Sequence, residues 1–225
     1  MMLMHPTFEE PITIERDDIN VLVVENRDQL AEYIRMLNGQ IHGDDGKFVL
    51  SDDGRCQSLS GTVKLIIDPF NLDVNTKDVL TQSYGILNKI AMDEDHYCNT
   101  NEAVQGFTRY ILELLVDADV EMYLKDCSFS DFIKLLSPRF MQSDDLLATV
   151  AEYLDVMSRY SKVVLFIFVN LYTFLSEEKM SLLKQHILYR RYSVLFIESV
   201  FECRNGENIT IIDKDRCEMR RQEVI

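Results

Sequence analysis

An apolar run of strand length occupies residues 161–170, which read Ser-Lys-Val-Val-Leu-Phe-Ile-Phe-Val-Asn. Because the run is continuous rather than alternating, it predicts a central strand that is covered on both faces, as in a parallel sheet with helices on each side. Ser176 follows as a helix-capping residue, Glu177 and Glu178 suit a helix N-terminus, and a second apolar run spans residues 193–198. The pattern therefore predicts a strand, a crossover helix and a second, parallel strand.

Shorter runs of the same type lie on either side of this unit. Residues 12–14 and 19–24 are rich in β-branched residues and predict a hairpin or two adjacent strands. Residues 63–67 predict a buried strand, and residues 209–212 predict an edge strand. We expect the Arg- and Glu-rich end of the chain, from Arg216 onward, to be exposed.

Capping residues and glycines mark the helices and turns of the first half. Asn26 is placed to cap a helix, with Gln29 three residues later as in a capping box, and Gly39 is placed to end that helix. Asn75 is expected to open a second helix. Between these helices, two Asp-Gly pairs within residues 45–54 predict a small hairpin at the surface.

Helical spacing replaces strand patterns from residue 93 to residue 160. Short helices are predicted at residues 129–136 and from Ser143, after a long helix that has one face marked by Val104, Phe107, Ile111, Leu114 and Ala118. The sequence therefore predicts an α/β fold with a mostly parallel sheet flanked by helices. This head comprises residues 1–92 and 161–225, and an all-helical leg is inserted at residues 93–160.

Composition limits the class of protein. The chain has 225 residues, of which 47% are hydrophobic, so it can bury a sizeable core. Its longest apolar run is shorter than the about 20 residues that cross a bilayer, and its start lacks a signal-peptide pattern, so a cytoplasmic soluble protein is expected. The net charge of −15 disfavours nonspecific adhesion to nucleic acid or to an anionic membrane, but it permits a local basic surface. Disulfides and zinc are disfavoured because no Cys-x-x-Cys occurs among the five cysteines, Cys56, Cys98, Cys127, Cys203 and Cys217.

Chemistry is expected at the carboxyl ends of the parallel strands, but the sequence contains no Gly-rich phosphate-binding loop. The strand that ends at Asp68 resembles a Walker B strand, and without a phosphate loop we interpret Asp68 as structural. Asn170 is interpreted as binding loop backbone. Asp68 and Glu198 both close strands and in principle share a magnesium ion, which keeps a metal-dependent nuclease as an alternative. The histidines are expected at the surface or its boundary; they are His5, His42, His96 and His186.

One carboxylate cluster is a candidate cation site: Asp117, Asp119 and Glu121, followed by Asp126. Alternate acids on a continuous helix point to opposite sides, so they meet at one cation only where the helix ends or distorts. Calcium suits an oxygen-only set of ligands, although the segment lacks the Gly and the final Glu of an EF-hand loop. Composition alone favours a solvated acidic helix end.

Several segments occur together in an order and spacing that match a known family. They are residues 8–12 (Phe-Glu-Glu-Pro-Ile), 67–76 (Ile-Asp-Pro-Phe-Asn-Leu-Asp-Val-Asn-Thr), 165–170 with 174–178, 194–198 (Val-Leu-Phe-Ile-Glu) and 211–215 (Ile-Ile-Asp-Lys-Asp). Over nearly its full length the chain resembles the Csn-type CRISPR-associated protein of type II-A systems, the ring-forming subunit of spacer acquisition. The individual motifs are apolar strands and caps, so the resemblance depends on their collinearity.

The resemblance implies a homotetrameric ring whose α/β heads are similar to a phosphate-loop ATPase that has lost its phosphate loop, and whose legs are helical. It implies binding to ends of double-stranded DNA through a basic inner wall, with no established catalytic activity. The implied partners are the CRISPR integrase proteins and the RNA-guided nuclease of this antiviral defence. It also implies calcium ions at the acidic segment, here Asp119, Glu121 and Asp126 with Asp117 nearby. Tyr123 and Lys125 stand where the family carries acids, so some calcium sites are expected to be missing or rebuilt.

Four copies of a chain with a charge of −15 repel one another and DNA, so divalent cations and inward-facing basic residues are needed before DNA enters a ring. The candidates for the basic wall are Lys47, Arg55, Lys125, Lys134 and Arg139, and the alternative for each is an ordinary solvated side chain. Contacts to phosphate alone give binding without sequence preference. Two further alternatives are a degenerate ATPase and a protein-protein adaptor that never touches DNA.

Overall fold

The computed structural model describes residues 1–201 and 206–222, with side chains up to residue 220 in the last strand. The α/β fold class predicted from the sequence is confirmed. A short 3-10 helix, Leu171–Thr173, follows the seventh strand. Within the described residues the other elements are β1 (Met2–Met4), β2 (Ile12–Thr13), β3 (Ile19–Val24), α1 (Arg27–Ile41), β4 (Val49–Asp52), β5 (Arg55–Gln57), β6 (Val63–Ile66), α2 (Lys77–Ala91), α3 (Tyr97–Asp117), α4 (Phe129–Leu136), α5 (Leu146–Tyr160), β7 (Leu165–Val169), α6 (Glu177–Arg190), β8 (Val194–Glu198), β9 (Glu207–Ile212) and β10 (Glu218–Gln222).

The chain divides into two compact units. The α/β unit comprises Met1–Asp73 and Gln142–Ile225, and the helical unit comprises Val74–Met141. The sequence placed the helical insertion at residues 93–160, whereas α2 belongs to the helical unit and α5 to the α/β unit. The boundaries differ because helical periodicity marks an apolar face without showing which neighbour that face packs against.

The larger sheet of the α/β unit has six strands in the order β10-β9-β3-β8-β7-β6. Its neighbouring strands are parallel except for β9 and β10, which are antiparallel. The predicted strand-helix-strand unit is confirmed as β7, α6 and β8, although β3 and β8 rather than β7 are the central strands. Every residue of β3, β7 and β8 is buried, as expected for continuous apolar runs.

One face of this sheet is covered by α1 and by a smaller sheet with the strand order β2-β1-β4-β5. The predicted pairing of residues 12–14 with residues 19–24 is wrong, because Ile12 pairs with Leu3 of β1 while β3 pairs with β8 and β9. Local β-propensity does not encode a strand's partner, which depends on the apolar face that the strand has to bury. The shared core includes Leu3, Ile12, Leu22, Val24, Leu30, Tyr33, Leu37, Leu50, Ile167 and Ile197.

The opposite face is covered by α5 and α6. Tyr153 of α5 makes an edge contact with Phe166 of β7, with 6.3 Å between the ring centroids. Asp155 of α5 joins the two helices because it accepts a hydrogen bond from His186 of α6 at 2.8 Å. The buried side chains of these helices are Val150, Tyr153, Leu154, Met157, Met180, Leu183 and Ile187.

The end of the chain adds a strand that the sequence did not reveal. The predicted edge strand, β9, lies between β3 and β10, and β10 forms the edge. Arg220 fixes β10 by donating hydrogen bonds to the carbonyl oxygens of Glu10 at 2.8 Å and Pro11 at 3.2 Å. The polar composition of this segment concealed a strand because the ladder bonds come from the backbone. Residues 202–205, which include Cys203, and residues 223–225 lie outside the described residues.

The helix ends match the sequence signals in part. The Asn26 side chain caps α1 by accepting the backbone N–H three residues later at 3.1 Å, as predicted. The predicted stop at Gly39 is wrong, because α1 continues to Ile41 and the left-handed glycine beyond its end is Gly43, with a φ of 105°. The N-cap of α2 is Thr76, one residue after the predicted Asn75.

The helical unit is held together by a few specific contacts. Phe107 of α3 and Phe132 of α4 meet edge to face, with 5.2 Å between their ring centroids. The apolar face that the sequence marks on α3 is partly exposed, because Phe107 and Leu114 are exposed and Thr100 is the one buried residue of this fully described helix. The period of a helix reveals an apolar stripe, but it does not show that the same chain covers the stripe.

His5 is buried between the smaller sheet and α1, which corrects the expectation of a surface position. Its ring packs against Tyr33 and Phe48, with 5.1 and 4.6 Å between ring centroids. Its Nδ1 lies 2.7 Å from the hydroxyl of Thr7, and its Nε2 has no hydrogen-bond partner among the described residues. Burial and the nearby charge of Lys47 lower the pKa of His5 below 6.5, against an opposing effect of Glu32.

We expect the free energy of unfolding to decrease as the pH is lowered from about 7.5 to about 5.5. The pKa of His5 is lower in the folded chain than in the unfolded chain, so the unfolded chain binds a proton at His5 first as the pH falls. The stabilisation that is present above the unfolded-state pKa is therefore lost as the pH falls to the folded-state pKa. Urea unfolding of the His5→Phe variant should show a weaker pH dependence. The exposed His42 is the control: an unchanged pH dependence is expected for His42→Gln, and an equal effect of both substitutions would contradict this account.

Candidate functional site

The turn from β3 to α1 lies at the carboxyl edge of the larger sheet, where open α/β sheets hold ligands. The side chain of Asn26 already accepts a backbone N–H at the start of α1, and its amide donates to the carbonyl oxygen of Lys214 at 3.2 Å. Glu25 and Asp28 flank it in sequence. Phosphate binds at unoccupied N–H groups away from negative charge. The turn therefore lacks the features of a phosphate-binding loop, in agreement with the sequence.

Asp68 and Asn170 stabilise the loops that follow their strands. Asp68 accepts the backbone N–H of Phe70 at 3.0 Å, and Asn170 accepts that of Ser199 at 2.9 Å. Asn170 adopts the left-handed conformation, with a φ of 51°, which Asn tolerates better than most residues. The bond made by Asn170 confirms the expectation that it binds loop backbone, and the bond made by Asp68 is of the same kind.

Glu198 is buried at the end of β8, where it accepts the backbone N–H of Tyr172 at 3.3 Å. Asp68 follows β6, and β7 lies between these two strands. Among residues 1–201 and 206–222, no three His, Cys, Asp or Glu side chains are grouped as a metal ion requires. The geometry therefore does not favour a magnesium centre shared by Asp68 and Glu198.

A buried ion pair joins α6 to the start of β9, and sequence reasoning missed it. The carboxylate of Glu207 pairs with the ammonium of Lys184 and accepts a hydrogen bond from the Tyr172 hydroxyl at 2.8 Å. The Lys184 ammonium also lies 5.0 Å from the centroid of the Tyr172 ring. Glu207 and Glu198 both line a cavity of about 140 Å³. The one signal in the sequence was the position of Glu207, a charged residue at the start of an apolar strand. That signal did not identify Lys184 as its partner.

The acidic segment meets one condition for a cation site and fails another. Helix α3 ends at Asp117, and Asp119 adopts a positive φ of 51°, so the helix stops where the carboxylates are concentrated. Asp117, Asp119, Glu121 and Asp126 are all exposed, and the described chain groups no three of its acids, histidines or cysteines around one point. The residues of a single chain therefore do not fit a bound calcium ion.

Three candidate DNA-binding residues, Lys125, Lys134 and Arg139, are exposed in the helical unit near α4. The Lys134 ammonium lies 4.0 Å from the carboxylate of Asp131. Hydrogen bonds from Ser128 lower the pKa of Asp131, and the charges of Lys134 and Lys125 lower it further. The structure therefore brings Lys125 and Lys134 near the same carboxylate, while Arg139 follows the end of α4.

The other two candidates, Lys47 and Arg55, are exposed on the α/β unit. Arg55 opens β5 and pairs in register with Asp52 of β4, which confirms the predicted hairpin. The turn residues Asp53 and Gly54 have φ angles of 46° and 74°, as in the two-residue turn that Asp-Gly favours. DNA binding by any of the five basic residues stays a prediction.

The helices of the described residues include none with the length and apolar content of a bilayer-spanning segment. Cys56, Cys98, Cys127 and Cys217 are free and exposed. His96 hydrogen-bonds to Asp93 at 2.8 Å.

The fold and the carboxyl edge of the larger sheet define an α/β protein without a phosphate-binding loop. The profile of the family described as CRISPR-associated protein (Cas_Csn2) matches residues 40–216. Since the match spans more than half of the sequence, the chain belongs to this family of CRISPR-associated proteins. No curated protein matches the sequence. One similar solved structure is a putative ABC transporter (ATP-binding protein) from Pyrococcus furiosus, at 10% identity and a TM-score of 0.41, covering 94% of this chain and 97% of that chain. A likeness at this TM-score does not bear on function.

The Lys184→Met substitution is expected to lower the free energy of unfolding by about 3–5 kcal/mol, because it leaves the buried Glu207 carboxylate without its cation. Lys179→Met is the matched control, since its partner Asp145 is exposed and the expected loss is much smaller. Urea unfolding measures both values. The Lys184→Met/Glu207→Gln double variant should recover part of the loss, and equal effects of the two single substitutions would refute a buried pair.

Proposed function

We propose that four copies of this chain form a ring that holds ends of double-stranded DNA, without sequence preference and without catalysis, during CRISPR spacer acquisition. Family membership supports the CRISPR-associated role. The proposal takes the integrase proteins and the RNA-guided nuclease of the system as partners, and the cytoplasm as the location. The ring, the DNA ends and calcium support rest on the family resemblance together with the surfaces described below.

The observation that carries the assembly is the exposed apolar surface of the helical unit. Leu135 and Leu136 at the end of α4 are 77% and 79% exposed, and Met141 is 91% exposed. Val116 and Met122 are exposed beside the end of α3. Monomeric proteins rarely expose contiguous apolar patches of more than a few hundred Å². Burial of such side chains between copies of the chain is a direct way to remove them from water.

The proposed contact to DNA uses exposed basic side chains on both units. Lys125 and Lys134 share the vicinity of Asp131, and Arg139, Lys47 and Arg55 are exposed as well. A ring concentrates such scattered charges because each of them is repeated in every copy. Since these side chains would contact phosphate oxygens, the binding is expected to be independent of sequence and sensitive to salt.

The proposal includes calcium only as an ion bound outside a site formed by one chain in the conformation described above. The described residues of one chain group no three acids around one point, so the proposed calcium support requires carboxylates from more than one copy or a rearranged segment after Asp117. Either arrangement would reduce repulsion between chains that each carry a charge of −15. No observation favours the nuclease or ATPase alternatives, since Asp68 and Glu198 stay on separated strands and the strand-helix turn offers no phosphate cradle.

Light scattering is expected to give the mass of four chains for the wild-type protein in excess Ca²⁺, and a lower mass after chelation. The Leu135→Ser/Leu136→Ser variant should shift the mass toward that of one chain, because it makes the proposed interface polar. Leu182→Ser/Tyr189→Ser is the matched control, since it removes two exposed apolar side chains from α6 and should leave the mass unchanged. A wild-type protein that stays monomeric in excess Ca²⁺ would rule out the ring.

The wild-type protein is expected to retain linear but not closed circular DNA at low salt, and to leave the DNA uncut in Mg²⁺. The Lys125→Gln/Lys134→Gln variant should bind linear DNA roughly tenfold more weakly, with a smaller salt dependence and no change in sequence preference. Lys162→Gln/Lys214→Gln is the control, because it removes two exposed lysines outside the candidate set. Partner binding without DNA retention at every salt concentration would indicate an adaptor, and cleavage lost on Asp68→Ala would indicate a nuclease.

A further inference from the structure

Apolar side chains are exposed beyond the carboxyl ends of three neighbouring parallel strands, β6, β7 and β8. Phe70 follows β6 and is 66% exposed, Phe174 follows β7 and is 45% exposed, and Val200 follows β8. Because the strands are parallel, these residues lie at one edge of the sheet. Phe70 and Phe174 contact each other edge to face, with 5.2 Å between their ring centroids.

The two rings are held in place by their own loops. Asp68 accepts the backbone N–H of Phe70, and the 3-10 helix ends with a hydrogen bond from the Phe174 N–H to the Leu171 carbonyl at 3.0 Å. The neighbouring Pro69 is buried. The exposed rings are therefore presented by ordered backbone, which reduces the entropy lost when a partner covers them.

Exposed acids lie close to these rings in the sequence. Asp68 and Asp73 lie in the same loop as Phe70, and Glu177 and Glu178 follow Phe174 at the start of α6. Lys179, the nearest base along the chain after Phe174, is paired with Asp145. Hydrogen bonds from its own backbone N–H and from Ser176 lower the pKa of Glu178, which keeps its carboxylate charged.

We propose that this surface, the carboxyl-edge patch, is a docking site for a segment of another protein that carries an apolar or aromatic anchor among Lys and Arg residues. The patch consists of Ile67, Phe70, Phe174 and Val200 with Asp68, Asp73, Glu177 and Glu178. The proposal goes beyond the ring described above and does not depend on DNA binding.

The negative charge of the carboxyl-edge patch distinguishes between the kinds of molecule that bind an apolar surface. Phosphate groups are repelled by the four acids, so a nucleic acid does not suit the patch. A second copy of this chain carries the same net charge of −15, whereas a basic segment gains both apolar burial and charge complementarity.

The test uses a labelled synthetic peptide in which Leu and Phe alternate with Lys and Arg, with binding followed by fluorescence anisotropy. A peptide of equal charge in which Ser replaces Leu and Phe is the comparison. We expect the apolar peptide to bind the wild-type protein at least about tenfold more tightly than the Ser peptide. Phe70→Ser/Phe174→Ser should remove that preference, while Leu182→Ser/Tyr189→Ser should preserve it.

A second variant, Glu177→Gln/Glu178→Gln, tests the contribution of charge. It should weaken binding of the apolar peptide and reduce the salt dependence of that binding. Asp44→Asn/Asp45→Asn removes the same charge from another exposed loop and should have little effect. The Glu177→Gln/Glu178→Gln variant also provides the test if the Phe variant does not fold. Equal binding of the two peptides to the wild-type protein would overturn the proposal, and so would unchanged peptide binding by both the Phe70→Ser/Phe174→Ser and the Glu177→Gln/Glu178→Gln variants. A loss of oligomer mass in Phe70→Ser/Phe174→Ser would also overturn it, because the patch would then be a contact between copies of the chain.

Discussion

The burial of the parallel strands on both faces is the constraint on which the α/β unit depends. Every residue of β3, β7 and β8 is buried, so neither face of the larger sheet can be left to solvent. Helix α1 and the smaller sheet cover one face, and α5 and α6 cover the other. The same parallel arrangement brings the carboxyl ends of the strands to one edge, which is where the loops with Asn26, Asn170 and Phe70 lie.

That edge differs chemically from an anion-binding edge. The N–H groups at the start of α1 meet the side chain of Asn26, and Glu25 and Asp28 stand beside it. The loops after β6 and β7 instead present two aromatic rings among acids. An α/β edge of this composition suits contact with protein rather than with a phosphate group. The helical unit likewise leaves apolar side chains without cover from its own chain.

Particular residues show how far the sequence predicts the structure. Asn26 was assigned correctly because a helix cap is a local interaction within three residues. Gly39 was misassigned as the end of α1 because a glycine inside a helix costs some stability but is tolerated. The glycine with a positive φ beyond the end of this helix is Gly43. The sequence placed Phe107 on one face of a long helix, but its exposure depends on how much of that face the neighbouring helices cover. Glu207 was missed because its partner Lys184 belongs to another element.

Periodicity and contacts between near neighbours in the chain are enough to predict the α/β class, the strand-helix-strand unit and most helix starts. The lack of a phosphate loop is read directly from the residues. Only the folded arrangement shows which strands pair and that His5 and Glu207 are buried. It also shows that Phe70 and Phe174 meet at the surface. These features arise from contacts between residues far apart in sequence, and a linear pattern of polarity does not specify such contacts.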